Sequence, residues 1–281
     1  MEPNGPAMEE PIKTARVGIA IVGEIIKAAG DNPQVREAGA NLGQTALTIT
    51  KTINNALLPL AALNFAFDKA RVYFEKNFQS DLSAKAAPIP IECIVEPKAS
   101  IAGPAIQGLA FSHEEPNLKE MYLSLLANAM DSRNAPDVHP AFVEIIKQLN
   151  SEEARLLPGI LHSTNPIAIV EIRKIETSKP GWSVLQTHVL NLRDQGSNVP
   201  VEDPRMAAKV DNWVRLGLVG VDYDTAAIDS EKNPYDWVEK RPEYQRFLQQ
   251  IQLDNVKVTF EKGVLVRTSL GEQFAHAAGL L

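Results

Sequence analysis

The chain is short of the residues that most often carry chemistry. It has one cysteine, Cys93, in 281 residues, so it forms no internal disulfide, and a reducing cytoplasmic setting fits. Its five histidines, His113, His139, His162, His188 and His276, are dispersed. No pair has metal-ligand spacing on one helical face, so no metal is expected. Gly103-Pro104 and Gly108 make no phosphate-binding fingerprint, and no cofactor is expected. The net charge is −7 with no run of clustered Lys and Arg, which disfavours nucleic acid as a partner. Acids precede the first apolar segment, which argues against a signal peptide. The clean apolar run ALLPLAALNFAF holds Pro59 and falls short of the roughly 20 residues a membrane span needs.

Apolar residues at helical spacing are plentiful. Ile12, Ala15, Ile19, Val22 and Ile26 form one stripe and predict a helix over residues 11–29, stopped by Gly30 and Pro33. Leu42, Ala46, Ile49, Ile53, Leu57 and Leu60 then make a heptad-like interaction stripe. Pro59 predicts a kink near Leu58. A third helix is expected over residues 60–78. Dense proline (Pro88, Pro90, Pro97, Pro104) then predicts a linker with a short edge strand near residues 91–95. Pro104, Pro116 and Pro140 each read as opening a helix. Asn150 with Glu153 is a capping-box arrangement for another.

From Pro166 the pattern turns towards strand in PIAIVEIRKIE, and GWSVLQTHVLNL is ambiguous between strand and helix. Asp203-Pro204 start a helix with Met206, Val210, Trp213 and Val214 on its apolar face, and Gly217 ends it. LVGVD reads as a strand. VKVTF and VLVRT flank Glu261-Lys262-Gly263 and read as a hairpin. Ser269 caps a closing helix. The expected fold is therefore mainly α: an N-terminal helical region (1–80), a proline-rich linker (81–103), a central helical bundle (104–165), and a small winged-helix-like α+β module (166–281).

Two places invite a chemical reading. Asp131, Arg133, Asp137 and His139 crowd one bend between helices. An acid–histidine pair with an arginine to hold an anion is permitted there. The same residues also suit a turn with a helix cap, because Asn134 and Asp137 favour turns and His139 precedes Pro140. The turn-plus-cap reading is preferred. In the C-terminal module, Lys209, Asn212 and Arg215 lie on the helix a winged-helix protein would lay on DNA. Asp211, Asp222, Asp224, Asp229 and Glu231 oppose phosphate contact there.

The segments GPAIQGLAF, LKEMYLSLLANAMD and VHPAFVEIIKQLNSEEARLL, with WVRLGLV and TSLGEQF nearer the C-terminus, resemble the abortive infection alpha family of bacterial proteins. The resemblance covers roughly residues 85–280, and VHPAFVEIIKQL is its most specific part. It implies a cytoplasmic bacterial protein of phage defence and carries over no catalytic residue. The expected function is defence through protein contacts, as sensor, adaptor or assembly component. The partner is another protein or a second copy, since a stripe without a mate invites one. Three alternatives stand beside it: a membrane-active effector using the nearly uncharged residues 38–67, an enzyme centred on residues 131–139, and a DNA-binding regulator.

Overall fold

The computed structural model describes residues 64–178, 180–194, 196–229, 232–252 and 255–281. The expected helix over residues 11–29, the stripe Leu42, Ala46, Ile49, Ile53, Leu57 and Leu60, the kink near Leu58, residues 38–63 of the uncharged stretch, and Glu231 lie outside the described residues. Among the described residues, no helix is long and apolar enough to cross a membrane. The chain divides into two compact units. One runs up to Pro158 and includes Gln273–Leu281; the other is Gly159–Glu272.

The first unit is helical. It contains α1 (Asn64–Lys76), α2 (Phe78–Ala86), α3 (Ala99–Ser112), α4 (Pro116–Ala129), α5 (Ala141–Lys147) and most of α6 (Ser151–Leu161). Pro116 opens α4, where its missing N–H costs nothing. Leu118, Met121, Leu125 and Ala129 recur at helical spacing, and all four are buried. α3 and α4 pack closely at Gly108: a Cβ there would stand 2.4 Å from the Tyr122 ring. Tyr73, Phe74 and Phe78 meet edge to face at 5.1–6.3 Å and anchor α1 and α2. Asn150 and Glu153 complete the capping box, each side chain taking the other's backbone N–H at 2.9–3.0 Å.

The expected linker has more regular structure than its prolines suggested. α2 reaches Ala86, and Pro104 lies inside α3 rather than opening it. The edge strand near residues 91–95 is instead a 3-10 turn, Ile91–Cys93, with one bridge from Ile94 to Asp131.

The second unit corrects the fold expectation. It is built on a four-stranded antiparallel sheet of order β2-β1-β4-β3, with β1 (Ile167–Glu176), β2 (Ser183–Leu190), β3 (Val219–Asp222) and β4 (Val256–Arg267). The fold is therefore not mainly α, and the C-terminal module is not a winged helix. The expected hairpin does not exist, because β4 runs unbroken through Glu261-Lys262-Gly263. Its partners there are Glu171, Val170 and Ile169 of β1, in continuous register. Gly263 serves close approach rather than a turn. A Cβ on it would fall 2.8 Å from the Asp222 carbonyl oxygen and 2.5 Å from the Tyr223 ring.

α7 (Met206–Arg215) packs on β2 and β3. It ends at Gly217, φ +74°, with Leu218 N–H bonded to Trp213 O and Gly217 N–H to Val214 O. That 6→1 and 5→2 pairing satisfies the last carbonyls of the helix. Val170, Ile172, Val189 and Val258 of the sheet bury against Tyr235, Val238 and Tyr244; Tyr244 belongs to α8 (Pro242–Gln250). The closing helix α9 (Ser269–Ala277) is capped by Thr268, one residue before the expected Ser269: its hydroxyl takes the Gly271 N–H at 2.9 Å.

Candidate functional site

The bend between α4 and α5 puts its charged groups into backbone geometry. Asp131 is 2% exposed. Its carboxylate accepts the Arg133 backbone N–H at 3.0 Å, Arg133 Nε at 2.9 and 3.1 Å, and an Arg133 terminal nitrogen at 2.6 Å. The Arg133 guanidinium holds the Asp131 carboxyl below the usual carboxylate range. The bend is also sewn to the proline-rich segment by two backbone bonds. Val95 N–H reaches Met130 O and Ser132 N–H reaches Cys93 O, both at 2.8 Å.

His139 performs a local task. Its Nδ1 accepts the Ala141 N–H at 3.1 Å and its carbonyl accepts from Phe142 N–H, while its ring meets Phe142 edge to face at 6.1 Å. Asp137 is exposed on the bend, and His139 Nδ1 is turned to the backbone of α5. The four residues named from sequence are thus neighbours, but they do not converge on one point. Asp131 and Arg133 face each other, and His139 faces the helix it starts.

The three residues of the would-be recognition helix have partners as well. Lys209 is 4% exposed with its ammonium 2.6 Å from Asp203 Oδ2. Arg215 donates to Asn212 Oδ1 at 2.6 Å.

A second constellation lies on the sheet. Glu171 and Arg173 are two apart on β1, so they project from one face. Arg173 Nε donates to Glu171 at 2.6 Å, and another guanidinium nitrogen donates to Glu261 of β4 at 2.5 Å. The same guanidinium lies 3.7 Å from the centroid of the Trp182 ring. Trp182 immediately precedes β2 and remains 54% exposed.

Further along β2, His188 adopts φ +54°, a left-handed conformation rare for a residue with a Cβ. The β1–β2 register skips there: Val170 pairs Val189 while Ile172 pairs Gln186, so β2 carries an extra residue. Three bonds hold the bulge. Tyr223 Oη accepts the His188 N–H at 3.0 Å and lies 3.0 Å from Nδ1, and Nε2 lies 3.1 Å from Asp211 Oδ1. Donor counting directs the tyrosine proton to Nδ1, which leaves the ring proton on Nε2 facing Asp211. Burial pushes the Tyr223 hydroxyl up to about 12, so it stays protonated and can donate.

A family model described as abortive infection alpha matches residues 70–278. The chain belongs to the abortive infection alpha family. No curated protein and no solved structure matches it. The family match spans both units, from α1 to the last turn after α9. The segments that carry the resemblance fall at joints. GPAIQGLAF holds the Gly108 approach to Tyr122, VHPAFVEIIKQL holds the His139 bond to the Ala141 N–H at the start of α5, and WVRLGLV contains the Gly217 stop.

Sequence reasoning missed the Arg173–Trp182 stack and the His188 bulge. The signal was present for the first: a Glu and an Arg two apart inside a β-branched run share a strand face. For the second no local signal exists, because Tyr223 and Asp211 meet His188 only through the sheet and α7.

Proposed function

We propose that this member of the abortive infection alpha family acts in phage defence by binding a protein partner through the β2 edge of its sheet. The observation that carries the reading is Trp182. It is a large aromatic more than half open to solvent, held still by Arg173, which two carboxylates hold in turn. Tryptophan and arginine dominate binding hot spots. An anchor already fixed in place loses less entropy when a partner lands on it. Val184, Val199 and Val201, also exposed, extend the apolar character along β2 and the loop after it. The bulges of β2 twist that edge away from simple strand addition, so recognition runs through side chains. The enzyme reading of residues 131–139 draws no support from the bend, where Asp131, Arg133 and His139 are bonded within the fold.

The test compares wild-type chain with Trp182→Ala in bacteria challenged by phage. Loss of protection and of one co-purifying protein, with an unchanged circular dichroism spectrum, supports the reading. Full protection by a folded Trp182→Ala chain refutes it. Sedimentation of the purified protein shows whether that partner is a second copy.

A further inference from the structure

We propose that a pocket in the first unit, where the bend after α4 meets the end of α9, binds an amine or guanidinium cation. Its volume is about 620 Å³, within the range of roughly 300–1,000 Å³ typical of small-ligand sites. Asn128, Asn134 and Asp137 line one side, with Gln273, His276 and Gly279 on the other. This site is independent of the Trp182 surface and involves none of its residues.

The chemistry follows from the bonding of the lining groups. α9 ends in a glycine stop at Gly279, φ +68°, with Leu280 N–H on Ala275 O and Gly279 N–H on His276 O. Asn128 Nδ2 adds bonds to the His276 and Ala277 carbonyls at 3.3 and 3.0 Å. The amide of Asn128 is thereby oriented, and its Oδ1 faces Asn134, whose Nδ2 donates at 3.0 Å. That bond in turn fixes Asn134, leaving its Oδ1 as an acceptor. Asp137 adds a carboxylate that bonds no other side chain among the described residues. The last carbonyls of α9 are already bonded, so the helix end adds only a weak negative potential to that carboxylate. The bend side of the pocket therefore presents the acceptors, a carboxylate on Asp137 and an amide oxygen on Asn134, across from the C-terminal end of α9. The complementary ligand carries several N–H donors and a positive charge. A free polyamine and a basic side chain of a peptide share that chemistry.

Isothermal titration calorimetry on the full chain tests it with agmatine, spermidine, an arginine-containing peptide, and glutamate as the anionic control. Saturable heat from a cation, weakened about 10- to 100-fold by Asp137→Asn, is expected for loss of a charge-assisted bond. Asp137→Glu should restore part of it. Asp137 is exposed with no side-chain bond to lose, so the variant folds, and a matching melting curve confirms that. Binding of agmatine or spermidine assigns a free amine, and preference for the peptide assigns a basic side chain; both uphold a cation site. No heat from any cation, equal binding by Asp137→Asn, or binding of glutamate overturns it.

Discussion

Replacing Gly263 with alanine separates the sheet observed here from the hairpin its surroundings suggest. At an open glycine with ordinary φ, alanine stabilises by about 0.4–1 kcal/mol, because it restricts the unfolded chain. Gly263 is not among the positive-φ glycines, so its backbone tolerates a Cβ. Space does not. The added carbon would sit 2.8 Å from the Asp222 carbonyl oxygen and 2.5 Å from the Tyr223 ring. The ring can shift only by straining its hydroxyl bonds to His188, and the carbonyl is fixed by β3–β4 pairing, with Asp222 opposite Val264. Overpacking of this kind costs about 1–3 kcal/mol, more than the entropic gain. The net expectation is destabilisation by about 1–2 kcal/mol, or several degrees of melting temperature at roughly 2–4 °C per kcal/mol. Gly159→Ala is the matched control: apart from its chain neighbours and the backbone of its own helix, no atom lies within 4 Å of its Cβ position in α6, and alanine there should stabilise by up to about 1 kcal/mol. Thermal unfolding followed by circular dichroism reads both. Removing the ring with Tyr223→Ala should recover only part of the Gly263→Ala loss, since the carbonyl remains. A Gly263→Ala protein at least as stable as wild type would refute the close approach and with it the unbroken β4.

Two other substitutions test the polar groups. Asp131→Asn should lower the melting temperature at pH 7. Because Arg133 depresses the folded carboxyl, the contribution of Asp131 is present above the ordinary carboxylate pKa and is lost as pH falls through the depressed value. The two melting temperatures should therefore converge below about pH 4, and a gap unchanged at pH 2 would contradict the ion pair. At His188, alanine keeps the left-handed strain and the backbone N–H bond to Tyr223 but loses the two ring bonds, whereas glycine removes the strain as well. His188→Gly should unfold about 1–2 kcal/mol later than His188→Ala, and equal denaturation midpoints would show that the bulge relaxes once the ring is gone.

The helical unit was legible because each of its signals is local. A proline at the first position of α4, the Asn150–Glu153 box and the i, i+3, i+4 recurrence of Leu118, Met121 and Leu125 act within one or two turns. Pro104 has the signature of a start, because proline favours the first turn of a helix; in α3 it lies inside. The sheet was harder because its determinants are remote. Glu261-Lys262-Gly263 has the composition of a turn, and only pairing with Ile169–Glu171 nearly a hundred residues away keeps it extended. SVLQTHVL stayed ambiguous for a related reason: its two bulges break the period-2 alternation by which a strand is recognised. The bend at 131–139 was legible as a turn and cap. Its pocket was not, since half of the wall comes from α9, more than a hundred residues downstream.

Buried charge shows how the irregular parts of the second unit are held. Arg241 has no solvent exposure, and a cation so placed is tolerable only when its donors are met. Two of its bonds go to Glu243, at 2.7 and 3.0 Å. The other two, both 2.6 Å, go to the Leu192 and Val201 carbonyls at the two ends of the loop after β2. Arg193 ties that loop again through the Asn198 carbonyl. The loop that displays Val199 is therefore clamped at its base, just as Trp182 is clamped by Arg173 and the β2 bulge by Tyr223 and Asp211. A surface meant to order around its partner would not need three separate polar clamps, each with a desolvation cost. Their presence along one strand and its following loop argues for rigid recognition, in which the ordering entropy is spent during folding rather than at the encounter.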